Sequence, residues 1–178
     1  KRQGEAMKVL GIDPGTATTG YGLICSEAGR VKAITYGTIV TPAQMEMPLR
    51  LQQIHKELES LLMEYKPDAV AVEEIFFNHN SKTVITVAQS RGVILMTAAA
   101  AGMPVAEYTP LQVKQAVVGY GKAEKKQVQL MVQKILTLQE LPRPDDAADA
   151  LAVAICHLHS YRLSYLAGSS AAKAGEKR

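Results

Sequence analysis

The chain has 178 residues, 47% of them apolar, with 20 Lys plus Arg against 17 Asp plus Glu and a formal charge of +3, enough for one sizeable core but not for two full domains. Only Cys25 and Cys156 occur, without CxxC or Cys/His spacing, which excludes a disulfide framework and a zinc site; both are read as buried thiols. No apolar run reaches the roughly 20 uncharged residues of a spanning helix, and the first six residues lack a signal peptide's apolar centre, so a cytoplasmic protein with no membrane partner is expected.

Met7 opens the coherent pattern, so residues 1–6 are read as a leader or an expression remnant and 7–165 as a single domain. Residues 8–13 form a short apolar strand, followed by the turn Pro14-Gly15-Thr16 and a second strand over about 20–26. Another turn, Glu27-Ala28-Gly29-Arg30, leads to a third strand over 31–40, and such short links predict an antiparallel meander. Beyond Pro48, residues Leu51, Ile54, Leu58, Leu61, Leu62 and Tyr65 recur at helical spacing. Lys66-Pro67-Asp68 stops that helix. Ala69-Val70-Ala71-Val72-Glu73 then reads as an interior strand covered on both faces and parallel to the first.

Residues 81–101 predict a long helix apolar nearly all round, buried by the sheet on one side and by something else, a candidate second subunit, on the other. A short strand over 104–108 and a short helix over 111–118 follow, then a break at Gly119-Tyr120-Gly121. Val128, Met131, Val132 and Ile135 mark an amphipathic helix expected to end near Leu141-Pro142. The last helix starts behind Pro142-Arg143-Pro144 with Asp145 or Asp146 as cap, and turns Leu151, Ile155 and Leu158 inward. Residues 166–178 are small, polar and basic, and are read as a flexible tail.

Four carboxylates stand out against this apolar background. Asp13 closes the first strand and Glu73 the parallel one, so neighbouring strands would bring both to one edge of the sheet. Asp146 and Asp149 are three apart and share a helix face. Four like charges packed together repel, and a hard divalent cation is the natural resolution. Taken singly, each acid is equally well read as a turn or helix cap; the joint placement favours a metal site. Glu74 points away if Glu73 points in, and Asp145 suits the cap.

Phe76 and Phe77, the only phenylalanines, share a loop with Asn78, His79 and Asn80, where a ring could stack on a base or staple the next helix; Phe76 is the better candidate for exposure. Lys114, Lys122, Lys125 and Lys126 surround the glycine-bearing break, where amines could meet phosphates, although a solvated helix face explains most single lysines. Arg91 interrupts an apolar helix and needs a partner, either a phosphate or an acid across an interface. His55, His157 and His159 read as surface or boundary residues.

Gly11-Ile12-Asp13-Pro14-Gly15, Val72-Glu73-Glu74 with Phe76 behind it, Gln112-Val113-Lys114-Gln115, Gly121-Lys122-Ala123-Glu124-Lys125 and Asp146-Ala147-Ala148-Asp149-Ala150-Leu151-Ala152 together resemble the RuvC Holliday-junction resolvases, in order, from Met7 to about Ser160. The resemblance implies an α/β, ribonuclease-H-like fold with a mixed five-stranded sheet flanked by helices. It implies a homodimer that nicks four-way DNA junctions symmetrically, using two Mg2+ ions per site, with Mn2+ able to substitute. Asp13, Glu73, Asp146 and Asp149 match the metal-binding acids, Lys114 and Lys125 match basic active-site or DNA-contact residues, and Phe76 matches a base-contacting aromatic. RuvA and RuvB are the implied protein partners. Two other readings compete. Gly11-Ile12-Asp13-Pro14-Gly15-Thr16 followed by Gly20 also resembles the first phosphate loop of actin- and sugar-kinase-type ATP-binding proteins, although one copy and one domain fit them poorly. A non-catalytic junction-binding module is the other, disfavoured by the presence of all four acids.

Overall fold

The computed structural model describes residues 6–75 and 81–175, with side chains from 83 to 163 in the second segment. Phe76, Phe77 and His79 therefore lie outside the described residues. The chain runs β1 (Met7–Asp13), β2 (Thr18–Glu27), β3 (Arg30–Val40), α1 (Met47–Tyr65), β4 (Ala69–Glu73), α2 (Ser81–Ala100), β5 (Val105–Tyr108), α3 (Pro110–Val118), α4 (Lys125–Ile135) and α5 (Asp145–Gly175). The five strands form one sheet in the order β3-β2-β1-β4-β5. β1 to β3 are the antiparallel meander, and β4 and β5 add in parallel beside β1.

Side-chain alternation sorts the sheet into two faces. Leu10, Ile12, Val70 and Val72 pack with Ile54, Leu58 and Leu62 of α1 and Ile94 and Ala98 of α2. Val9, Ala69 and Ala71 face the other way, onto Val113, Val117, Val128, Val132, Leu151 and Ile155 of α3, α4 and α5. Continuing the alternation, Asp13 and Glu73 point to the α5 side. In the parallel register Val9 pairs Ala69 and Ile12 pairs Val72, so the two acids end their strands level with each other.

Glycine lets α5 lie directly on the meander. A Cβ on Gly11 would stand 2.1 Å from the Ala150 carbonyl oxygen, and one on Gly20 would stand 2.0 Å from that of Asp146. Leu151, Ile155 and Leu158 are buried, as their spacing predicts.

Several boundaries differ from expectation. α4 ends at Ile135, six residues before Leu141, because Leu136 caps it and Thr137 takes a positive φ of 53°. The backbone of α5 continues to Gly175, past residue 165. Cys156 is buried, but Cys25 is only half-buried. Within the single chain α2 is covered on one side among the described residues: Ser90, Ile94, Thr97 and Ala98 are buried, while Ile85 and Met96 are 65% and 51% exposed. By length and composition alone, Thr83–Ala100 is long and apolar enough to cross a membrane, although Arg91 interrupts it. In this fold the same helix packs on α1 and the sheet, and its Arg91 is ion-paired.

Candidate active site

The four carboxylates meet where the C-terminal ends of β1 and β4 face the first turn of α5. Each has its own anchor. Asp13 and Glu73 are fixed by the parallel register, and Asp146 and Asp149 by the α5 turn seated on Gly20. Asp13, Asp146 and Asp149 are half-buried, as is Glu73. Beside them a pocket of about 200 Å3 is lined by Glu73, Pro110, Val113, Lys114, Lys125, Val128, Asp149 and Ala152.

The electrostatics record the crowding. Burial first, then the charges of Glu73, Asp149 and Asp146, push Asp13 up to about 8, with Lys125 opposing. Burial and Asp149 push Glu73 up to about 7 against the pull of Lys114 and Lys125. Asp149 is also raised, chiefly by burial, although Lys125 Nζ stands 2.9 Å from its Oδ2. Burial draws the Lys125 ammonium down, but its hydrogen bond to Asp149 and the charges of Asp149, Asp145 and Asp146 outweigh this and hold it above its usual range. At neutral pH Asp13 is therefore largely protonated in the metal-free fold, and taking up that proton on folding costs on the order of 4 kcal/mol.

Among the described residues, no three His, Cys, Asp or Glu side chains close tightly enough to form a ready cation cage. The carboxylates are within electrostatic range of one another but stand apart. An all-oxygen donor set in which burial and mutual repulsion raise Asp13, Glu73 and Asp149 nevertheless fits a hard divalent cation, which would supply the missing positive charge.

The other predicted residues divide. Lys114 and Lys125 border the pocket, and Lys122 is exposed on the preceding loop. Glu74 is exposed and outside the pocket lining; Asp145 is exposed and accepts a hydrogen bond from Gln129 at 2.9 Å. Arg91 has an acid partner, but within the chain and not across an interface. It is ion-paired within the chain to Glu107 of β5, and its Nε donates to the Glu73 carbonyl oxygen at 3.2 Å.

Sequence reasoning passed over two further features. Gly11, Gly20 and Gly22 admit α5 to the strands, and a glycine at alternate positions of adjacent strands was the available signal. His157, read as a surface or boundary residue, shares a 2.9 Å hydrogen bond between its Nδ1 and Tyr108 Oη, while its Nε2 is buried without a partner among the described residues. Burial lowers its pKa. His159 meets the Ala116 carbonyl and His55 meets Thr97, both as boundary residues.

Sheet order and the position of the acids define the ribonuclease-H-like class of α/β nuclease folds. Residues 9–157 match the family described as Crossover junction endodeoxyribonuclease RuvC. A curated relative of that name from Syntrophomonas wolfei is 90% identical over 97% of this chain and all of its own length, and another from Desulfitobacterium hafniense is 57% identical over 88% of this chain and 95% of its own. The structure of Thermus thermophilus RuvC in complex with a Holliday junction substrate superposes with a TM-score of 0.84 at 40% identity, covering 89% of this chain and 96% of that one. The yeast mitochondrial resolvase Ydc2, at 15% identity and a TM-score of 0.65, shares the fold. The chain belongs to the RuvC family of crossover junction endodeoxyribonucleases. It is a Holliday-junction-resolving nuclease, and the ATP-binding reading of its first loop falls away.

Proposed function

We propose that this nuclease resolves junctions by divalent-metal-dependent hydrolysis at the Asp13, Glu73, Asp146 and Asp149 centre, as a homodimer that cuts two opposing strands. The observation that carries the reading is geometric: the parallel register and the seat of α5 bring two strand-end carboxylates and two helix acids within electrostatic range of one another beside a pocket bordered by Lys114 and Lys125, and the raised pKa of Asp13 and Glu73 agrees with that crowding. Bound there, two Mg2+ ions, or Mn2+ in their place, would activate a water and stabilise the attacking and leaving oxygens of an in-line displacement. Asp13 and Glu73 hold the sheet side of the centre, and Asp146 and Asp149 the helix side. Lys125, hydrogen-bonded to Asp149, is placed to pass to a substrate phosphate once that carboxylate is neutralised; Lys114 faces the same pocket. Lys122 meets the backbone beyond, and Phe76 and Phe77 supply the ring that reaches a base.

The homodimer draws support from the open stripe of α2, and a two-fold pair of sites suits a substrate of near two-fold symmetry. RuvA and RuvB as partners and a cytoplasmic location follow from the family resemblance. The test is metal binding followed by thermal unfolding. Mg2+ or Mn2+ should raise the unfolding midpoint of the parent protein and leave Asp13→Asn and Glu73→Gln nearly unmoved. Equal stabilisation of all three would place the metal elsewhere.

A further inference from the structure

We infer that Arg91 and Glu107 form a positioning pair that fixes the backbone of Glu73, and that Arg91 is not a contact for DNA phosphate. The inference rests on the metal-dependent reading of the site and assigns one of its supports. Arg91 projects from the middle of α2 with its side chain 20% exposed, so its charge is largely withdrawn from water and needs a fixed partner. Glu107 supplies the charge. The guanidinium Nε donates at the same time to the Glu73 carbonyl oxygen, the last of β4.

Register shows what this contact controls. Glu107 pairs with Val72 and so lies on the α2 face of the sheet, whereas the next residue, Tyr108, pairs with Glu73 on the α5 face. Arg91 thus grips the adjoining ends of β4 and β5 from one face. On the other face, Tyr108 Oη meets His157 Nδ1 and ties the same strand end to α5, the helix that carries Asp146 and Asp149. The Tyr108 carbonyl also accepts from the Glu74 N–H at 2.8 Å, closing the end of β4. With its backbone held at the carbonyl and at the following amide, the Glu73 carboxylate has little freedom except its own rotamers. Lysine could keep the ion pair with Glu107, but it lacks the planar fork that reaches carbonyl and carboxylate together.

Arg91→Lys and Glu107→Gln test the pair, compared with the parent full-length protein in two measurements. Metal half-saturation is read from Mg2+- or Mn2+-induced thermal stabilisation and, separately, from cleavage of a four-way junction. Junction affinity is read in chelator, without metal. Both variants should raise metal half-saturation about 10-fold, the usual cost of disturbing a support behind a metal ligand, with the cleavage rate at saturating metal and the affinity in chelator unchanged. Loss of affinity in chelator for Arg91→Lys with Glu107→Gln neutral would make Arg91 a phosphate contact and overturn the inference. Unchanged half-saturation in both variants would reduce the pair to a surface ion bridge and also overturn it. A parent protein with no response to either cation would refute the metal reading itself, and the inference with it, before any variant is compared.

Discussion

Asp13 is a residue the metal-free fold tolerates at a cost. Its pKa, raised from 3.8 to about 8, means that the folded state holds the proton more tightly than the unfolded chain does. The associated stability is complete below about pH 4 and is lost as pH rises through about 8; Glu73 adds a loss between 4.5 and about 7. In chelator, therefore, the unfolding midpoint should fall as pH rises from 4.5 to 8, and Asp13→Asn should flatten that fall while abolishing cleavage. A midpoint that climbs across this window would contradict the burial and repulsion invoked here. Lys125 works in the opposite sense, lowering the pKa of Asp149 from across a 2.9 Å contact. Its truncation to alanine should slow cleavage at saturating metal by about 100-fold, the scale of losing one preorganised cationic partner. Single-turnover rates on a pre-bound junction measure this without interference from binding.

The close seat of α5 on β1 and β2 decides where two of the four acids stand. A methyl on Gly20 meets the Asp146 carbonyl oxygen at 2.0 Å, so the first turn of α5 must move to admit it. Gly20→Ala should cost about 1–3 kcal/mol in denaturant unfolding, as overpacking does, and should weaken metal binding as well, because Asp146 moves with the turn. A stability loss with metal binding intact would mean that the helix can shift without carrying its acid. At this scale much was legible in the sequence. The strands, their meander and the parallel β4 follow from alternation and turn chemistry, and Asp13 and Glu73 were recognisable because each is the one acid of an otherwise largely apolar strand and ends it. What failed to show was long-range. The partner of Arg91 is Glu107, sixteen residues away on β5, and no local pattern signals that pairing. Leu136 and Thr137 stop α4 through backbone conformation, where the sequence offered Pro142 as the visible breaker.

One chain leaves an open stripe along α2, where residues 85, 88, 89, 92, 96 and 99 are exposed on the side away from the sheet. Gly92 lies on that stripe, and a Cβ there meets nothing within 4 Å in the single chain. Gly92→Glu should therefore leave the fold intact, since glycine is itself a poor helix residue, while placing charges against each other across the proposed two-fold interface. Sedimentation should show a dimer for the parent and a monomer for the variant; a variant that stays dimeric would move the interface off α2. Two acidic centres related by a two-fold axis match a junction whose opposing strands are equivalent, so pairing the subunits and pairing the cuts are the same requirement. The most direct measurement follows strand cleavage of an end-labelled four-way junction by the parent protein with Mg2+ and by Asp13→Asn. Symmetrically placed nicks on two opposing strands, sealable by ligase, absent in chelator and absent in Asp13→Asn while that variant still binds the junction, are the predicted result. Cleavage that persists in chelator or in Asp13→Asn, or binding by the parent protein without any nick, would contradict a metal-dependent resolvase built on these four carboxylates.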